Sequence, residues 1–99
     1  MSSLPNRVDV PQATHVTVTD DTLTVDLLDG RSVSVPLEWY PRLLHAHQRE
    51  RENWRFIGNG EGVHWPDLDE DVSIEAIVFG VPSRETGQSL RSWLERRTP

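Results

Sequence analysis

The stretch His15-Val16-Thr17-Val18-Thr19-Asp20-Asp21-Thr22-Leu23-Thr24-Val25-Asp26-Leu27-Leu28-Asp29-Gly30-Arg31-Ser32-Val33-Ser34-Val35 decides the fold. Apolar and polar residues alternate through it, the period of a half-buried strand and not of a helix. Directly opposed residues in a ladder share a face, so parity constrains the turns. Val16 and Val18 are even, while Leu23, Val25 and Leu27 are odd; an even loop joins them, and Asp20-Asp21 supplies a two-residue turn. The second hairpin joins odd to odd and needs an odd loop. A two-residue Asp29-Gly30 turn would set Val33 against Asp26 and spoil the apolar face. The spacing therefore predicts a three-residue loop, Leu28-Asp29-Gly30, with Gly30 left-handed at a bulge. Val25 then faces Val33, and Leu23 faces Val35.

Outward from this meander, residues 1–12 form an N-terminal arm, which is either loose or an added edge strand. Pro36 ends the strands. Residues 37–44 read as a short helix with Pro41 in its first turn, where a missing N–H costs little, and Tyr40, Leu43 and Leu44 on one face. A second helix is expected from about His47 to Trp54; its Arg49-Glu50-Arg51-Glu52 segment is polar all round, so one side meets solvent. Residues 54–71, Trp-Arg-Phe-Ile-Gly-Asn-Gly-Glu-Gly-Val-His-Trp-Pro-Asp-Leu-Asp-Glu-Asp, then read as an anchored crossing. The helix ends near Ile57, the glycines reverse the chain, and a short strand from Val63 to Trp65 returns across the core with both indoles buried. Ser73 caps a further helix with the stripe Ile74, Ile77 and Val78, stopped by Gly80 and Pro82. The core domain thus spans residues 13–82, and residues 83–99 form an amphipathic tail with Leu90, Trp93 and Leu94 on one stripe. The expected class is α+β: a small antiparallel sheet of about three strands plus a short returning strand, packed against three to four short helices.

Composition narrows the function. The chain has 99 residues, a net charge of −6 and a pI near 5.0, which disfavours nonspecific binding to nucleic acid or anionic membranes. Cysteine is absent, so there is no disulfide framework and no thiol chemistry. The ten basic residues are all arginine, which removes Schiff-base lysine chemistry. No apolar run approaches the ~18 residues of a membrane span, and the N-terminus lacks the apolar block of a signal peptide; a cytoplasmic protein is the default expectation. Charge is unevenly placed. Residues 83–99 carry four Arg against two Glu, +2, and residues 1–82 carry six Arg against fourteen acids, −8. The tail is therefore drawn either to its own domain or to an acidic partner.

Motifs for chemistry mostly fail. Gly58-Asn59-Gly60-Glu61-Gly62 lacks both the spacing and the strand–helix context of a dinucleotide loop, and Glu61 would repel phosphate. Asp67, Asp69 and Asp71 alternate like the first ligands of a calcium loop, but the sixth position is Val72 and the twelfth Val78. The acids cap the next helix, stay solvated, or with Glu70 form a looser cation site. His15, His45, His47 and His64 have no zinc spacing. His64 near Asp67 has no serine nucleophile in a Gly-x-Ser-x-Gly elbow.

Leu28-Asp29-Gly30-Arg31, Val33 to Leu37, Trp54 to Gly58, and His64-Trp65-Pro66-Asp67-Leu68-Asp69-Glu70-Asp71-Val72-Ser73, in that order, resemble the bacterial "domain of unknown function 2442" family over about residues 13–80. The resemblance implies a small α+β domain and brings no established activity and no catalytic residues. It also implies a genetic setting: members often lie beside another small uncharacterised family, as in a toxin–antitoxin-like pair with this domain as the binding half. Other members carry a C-terminal helix-turn-helix. This chain has only about 17 residues after Pro82 and departs from them there.

The expected function is a non-catalytic protein-interaction module, the antitoxin-like partner of a small toxin, with no catalytic, cofactor or metal residue assigned. Leu90, Trp93, Leu94, Arg91 and Arg97 are the candidate partner-binding residues. The motif loop contributes Trp54, Gly58, Gly60, His64, Trp65, Asp67, Asp69 and Asp71. Two alternatives stand: a DNA-binding autoregulator through Arg84, Arg91, Arg96 and Arg97, and a metal- or ligand-binding enzyme at His64 and the Asp67–Asp71 acids. Homodimerisation through an exposed strand edge is also open.

Overall fold

The computed structural model describes residues 10–97. Three strands open the domain: β1 (Ala13–Val18), β2 (Thr22–Leu27) and β3 (Ser32–Pro36), an antiparallel sheet in sequence order. Val16 lies opposite Val25, Val18 opposite Leu23, Leu23 opposite Val35 and Val25 opposite Val33. This is the register that parity required. Asp20-Asp21 is the two-residue turn, closed by the Thr19 N–H on the Thr22 carbonyl at 2.9 Å. In the second loop Gly30 has φ +95°, its N–H reaches the Leu27 carbonyl at 3.0 Å, and the Leu27 N–H reaches Arg31 O at 2.8 Å. Gly30 and Arg31 together oppose Leu27, a glycine bulge. A further irregularity interrupts β1 at Thr14, between Ala13 and His15.

After β3 a 3₁₀ turn (Leu37–Trp39) leads into α1 (Pro41–Leu44), with Pro41 at its first position. Tyr40 and Leu43 are buried as expected, but Leu44 is 40% exposed, because a single turn cannot carry its stripe further. α2 is shorter than expected, Gln48–Glu52, with His47 at its N-cap, whose N–H is taken by the Glu50 carboxylate at 2.9 Å. Its polar sequence is not simply solvated: Glu50 and Arg51 are 8% and 6% exposed. The Arg51 guanidinium caps the end of α1 through Leu43 O (2.9 Å) and Leu44 O (3.0 Å), and binds Asp20 Oδ1 at 2.7 Å.

No helix reaches Ile57. Asn53 ends α2, and Arg55–Ile57 is a strand, β4, paired with β5 (Gly62–Trp65), which pairs in turn with β6 (Glu70–Ser73). The molecule thus holds a second three-stranded antiparallel sheet in place of one returning strand. The expected helix gives way to strand pairing: Arg55–Ile57 joins the β5 ladder, and Gly58 and Gly60, at φ +64° and +88°, supply the turn of that hairpin. Phe56 then sits opposite Val63, and Val63 opposite Val72, on the inner face. Ser73 caps α3 (Ile74–Phe79), its hydroxyl accepting the Ala76 N–H at 3.3 Å, and Gly80 ends the helix at φ +73°. The tail ends in α4 (Gly87–Arg97).

One core joins both sheets and the helices. Leu23, Val25, Leu37, Leu43, Val63, Trp65 and Leu68 are sealed from solvent, and Trp93 of α4 belongs to the same cluster. Trp65 fills the interior as expected. Trp54 does not; it is half-buried, edge-on to His15 (ring centroids 5.6 Å) and tilted on Phe56 (5.0 Å). Among the described residues no helix is long and apolar enough to cross a membrane.

Candidate functional site

The motif-loop residues scatter into separate tasks. Gly60 joins the two sheets: its carbonyl accepts the Ala13 N–H at 2.8 Å, and a Cβ there would lie 2.5 Å from the Ala13 carbonyl oxygen. Trp65 donates its indole N–H to Arg51 O at 2.9 Å, so its one polar atom is satisfied inside the core. Asp67 accepts from Asn53 Nδ2 at 3.0 Å. Asp69 sits at φ +52° in the β5–β6 turn, and its carbonyl receives Arg42 Nη1 at 3.1 Å. Asp71 bonds His64 Nδ1. The three aspartates therefore serve three different partners, and among the described residues no group of three or more His, Cys, Asp or Glu converges on a metal position.

His64 is central in the second sheet, opposite Arg55 on one side and Asp71 on the other. The row lies on the outer face, since Phe56, Val63 and Val72 point inward. It borders a shallow depression of about 400 Å³ with Ile57. Ser73 is the serine of this strand, but its hydroxyl is committed to capping α3. His64 and Asp71 thus form a cross-strand pair that orients the imidazole, with the one serine of the neighbouring strand already engaged.

The C-terminal stripe folds back on its own domain. Trp93 is 4% exposed, and Leu90 and Leu94 are half-buried against the core. Arg97 grips Glu50 with both ends of its fork (2.7 and 3.0 Å), and its guanidinium also stacks on the Trp93 ring at 4.5 Å. Ahead of the helix, Arg42 holds Glu85 at 2.8 and 3.1 Å and contacts the same indole at 5.3 Å. The Arg97 guanidinium keeps the Glu50 carboxyl below the usual range, and Arg42 does the same for Glu85. Trp93, Leu90, Leu94 and Arg97, read from sequence as partner-facing, are occupied within the chain; Arg84, Arg91 and Arg96 remain exposed.

Sequence reading missed Arg42 and Arg51, and weighed Glu70 only as part of a loose cation site. The two arginines carry no motif; only the fold brings carbonyls and carboxylates around them. Glu70 is half-buried beside the Arg42–Glu85 pair, and desolvation lifts its pKa to about 7. Arg42 opposes that rise, while Glu85, Asp71 and Asp69 add to it. It also missed a recess of about 460 Å³ between β1 and the α2–Trp54 segment.

Two solved structures share the fold. One is a protein of unknown function from Rhodospirillum rubrum, with TM-score 0.65, 24% identity, and coverage of 83% of this chain and 99% of that one. The other is an uncharacterised protein from Chromobacterium violaceum, with TM-score 0.62, 16% identity, and coverage of 82% of this chain and 74% of that one. Among curated proteins none matches. Over residues 13–83, from the first strand to just beyond α3, the chain matches the model of a family described as protein of unknown function (DUF2442), and it belongs to that family.

Proposed function

We propose that this chain is a non-catalytic protein-interaction module, the acidic member of a pair with a small basic protein, in the manner of an antitoxin with its toxin. The observation that carries this reading is where the charges lie. Arg42 and Arg51 are turned inward onto Glu85, Asp20 and main-chain carbonyls. Asp21, Glu38, Glu52, Glu61 and Glu75 stay exposed. The domain therefore offers carboxylates outward while two of its cations stiffen the interior, a field that steers a basic partner into contact. The chain's own basic tail already responds to that field through Arg97 and Glu50.

The test is recovery of the tagged chain at native expression from its source organism. The reading expects a small basic protein, in fixed ratio, released by raised salt. Recovery of the chain alone, or of a partner indifferent to salt, refutes it.

A further inference from the structure

We infer that the recess beside β1 is a docking site for a short, extended, basic segment of the partner protein, held by main-chain pairing to Val16. This rests on the interaction-module reading and names its surface. Among the described residues β1 is an edge strand, with β2 on one side only. The Thr19–Thr22 bond at the turn makes that a hydrogen-bonded pair, and bonded pairs alternate along an antiparallel ladder. Thr17–Thr24 is therefore bonded, whereas Val18–Leu23 and Val16–Val25 are not. Val16 and Val18 send their N–H and C=O away from β2, toward the recess, while their side chains enter the core.

Both ends of the recess are closed. Gln48 Nε2 takes the Val18 carbonyl at 2.9 Å, and Trp54 stands edge-on to His15. Four strand residues rise about 3.3 Å each, so an occupant pairs over roughly three residues around Val16. Beyond, the bulge at Thr14 and the Ala13 bond to Gly60 end the free edge. Such a short ladder suits a strand tip from a partner and is too small to hold two copies of this chain together, which needs about 1,200 Å² or more.

Charge selects the occupant. Glu52 lies exposed at the rim, and the Arg51 charge is already met by Asp20, whose side chain is 92% exposed. Trp54 offers a ring against which an arginine or lysine stem packs.

The probe is a labelled, end-capped Arg-Val-Arg-Val peptide, with Glu-Val-Glu-Val as its counterpart, followed by anisotropy and by amide shifts of the full chain. The basic peptide should bind, shifting the Val16 and Val18 amides first, and the acidic one should not. Val16→Pro removes an N–H that β2 does not use and should weaken binding about tenfold or more. Glu52→Arg, at an exposed position, should reverse the preference between peptides. Shifts confined to other surfaces, with both variants folded and binding normally, overturn the recess but leave the acidic-module reading standing. Concentration-dependent broadening at Val16 without peptide would make a second copy the occupant and also overturn it. No binding of the peptide, together with recovery of the chain alone from its source, removes both.

Discussion

Replacing Trp93 by alanine should release α4 while leaving the two sheets folded. Trp93 is 4% exposed and touches two guanidiniums, at 4.5 and 5.3 Å. Removing a buried tryptophan typically costs about 3–5 kcal/mol, and each desolvated cation–π contact adds about 0.5–2 kcal/mol. Against this, α4 has only 11 residues, shorter than the ~12–15 at which an isolated helix becomes even marginal in water. Its ordering therefore depends on docking, and Trp93 is its one fully buried residue. The loss exceeds what Leu90, Leu94 and the Arg97–Glu50 pair can hold, since a partly exposed ion pair contributes about 1 kcal/mol or less. Hydrogen exchange followed by mass spectrometry reads the result. Amides of residues 88–97 should exchange at nearly unfolded rates in Trp93→Ala, while β2 keeps its protection. Retained protection across α4, or loss of protection throughout the chain, would refute a helix held mainly by this indole.

Gly60→Ala should destabilise the domain by more than ~2 kcal/mol, because φ +88° is joined by a Cβ 2.5 Å from the Ala13 carbonyl; Gly30→Ala, at φ +95° with open space around it, should cost only about 1 kcal/mol, and paired urea titrations compare them. Trp65→Phe leaves the Arg51 carbonyl without its indole donor and should cost about 1–3 kcal/mol by the same assay. Glu70 gives a pH signature: its folded pKa, about 7, lies above the ordinary glutamate value of 4.5, so the folded state binds more protons between those values and stability falls as pH rises through that window. Glu70→Gln should therefore raise the melting temperature more at pH 8 than at pH 5. Equal shifts at both would show that Glu70 ionises without penalty.

The first sheet was legible because its residues obey one rule repeatedly. Val16, Val18, Leu23, Val25, Val33 and Val35 alternate, and parity required one even and one odd loop. The second sheet was not. β4 has three residues, two of them adjacent apolar ones, and β6 shows one apolar residue, Val72, among acids. Neither is long enough to display a period. Helix ends were readable where capping chemistry is local, as at Ser73 and Gly80, and failed at Asn53, where tertiary pairing ended the helix. The candidate surface was the least legible part. Nothing in the composition of β1 says that its outer edge looks onto α2 and Trp54; that follows from where the Gly60 turn places the second sheet. The fate of the C-terminal stripe was likewise undecided by pattern, since an amphipathic helix presents the same residues to its own domain or to another.

The bond between Ala13 and Gly60 bears on the order of assembly. The β1–β2–β3 meander emerges from the ribosome before the second sheet and can register on its own, but the outward N–H of Ala13 stays unpaired until the β4–β5 hairpin arrives from nearly half a chain away. Closing so wide a loop loses chain entropy before any contact compensates, and such closures set the pace of folding. The junction should therefore mark the rate-limiting encounter: stopped-flow refolding of Gly60→Ala should slow by about as much as its stability falls, while unfolding changes little.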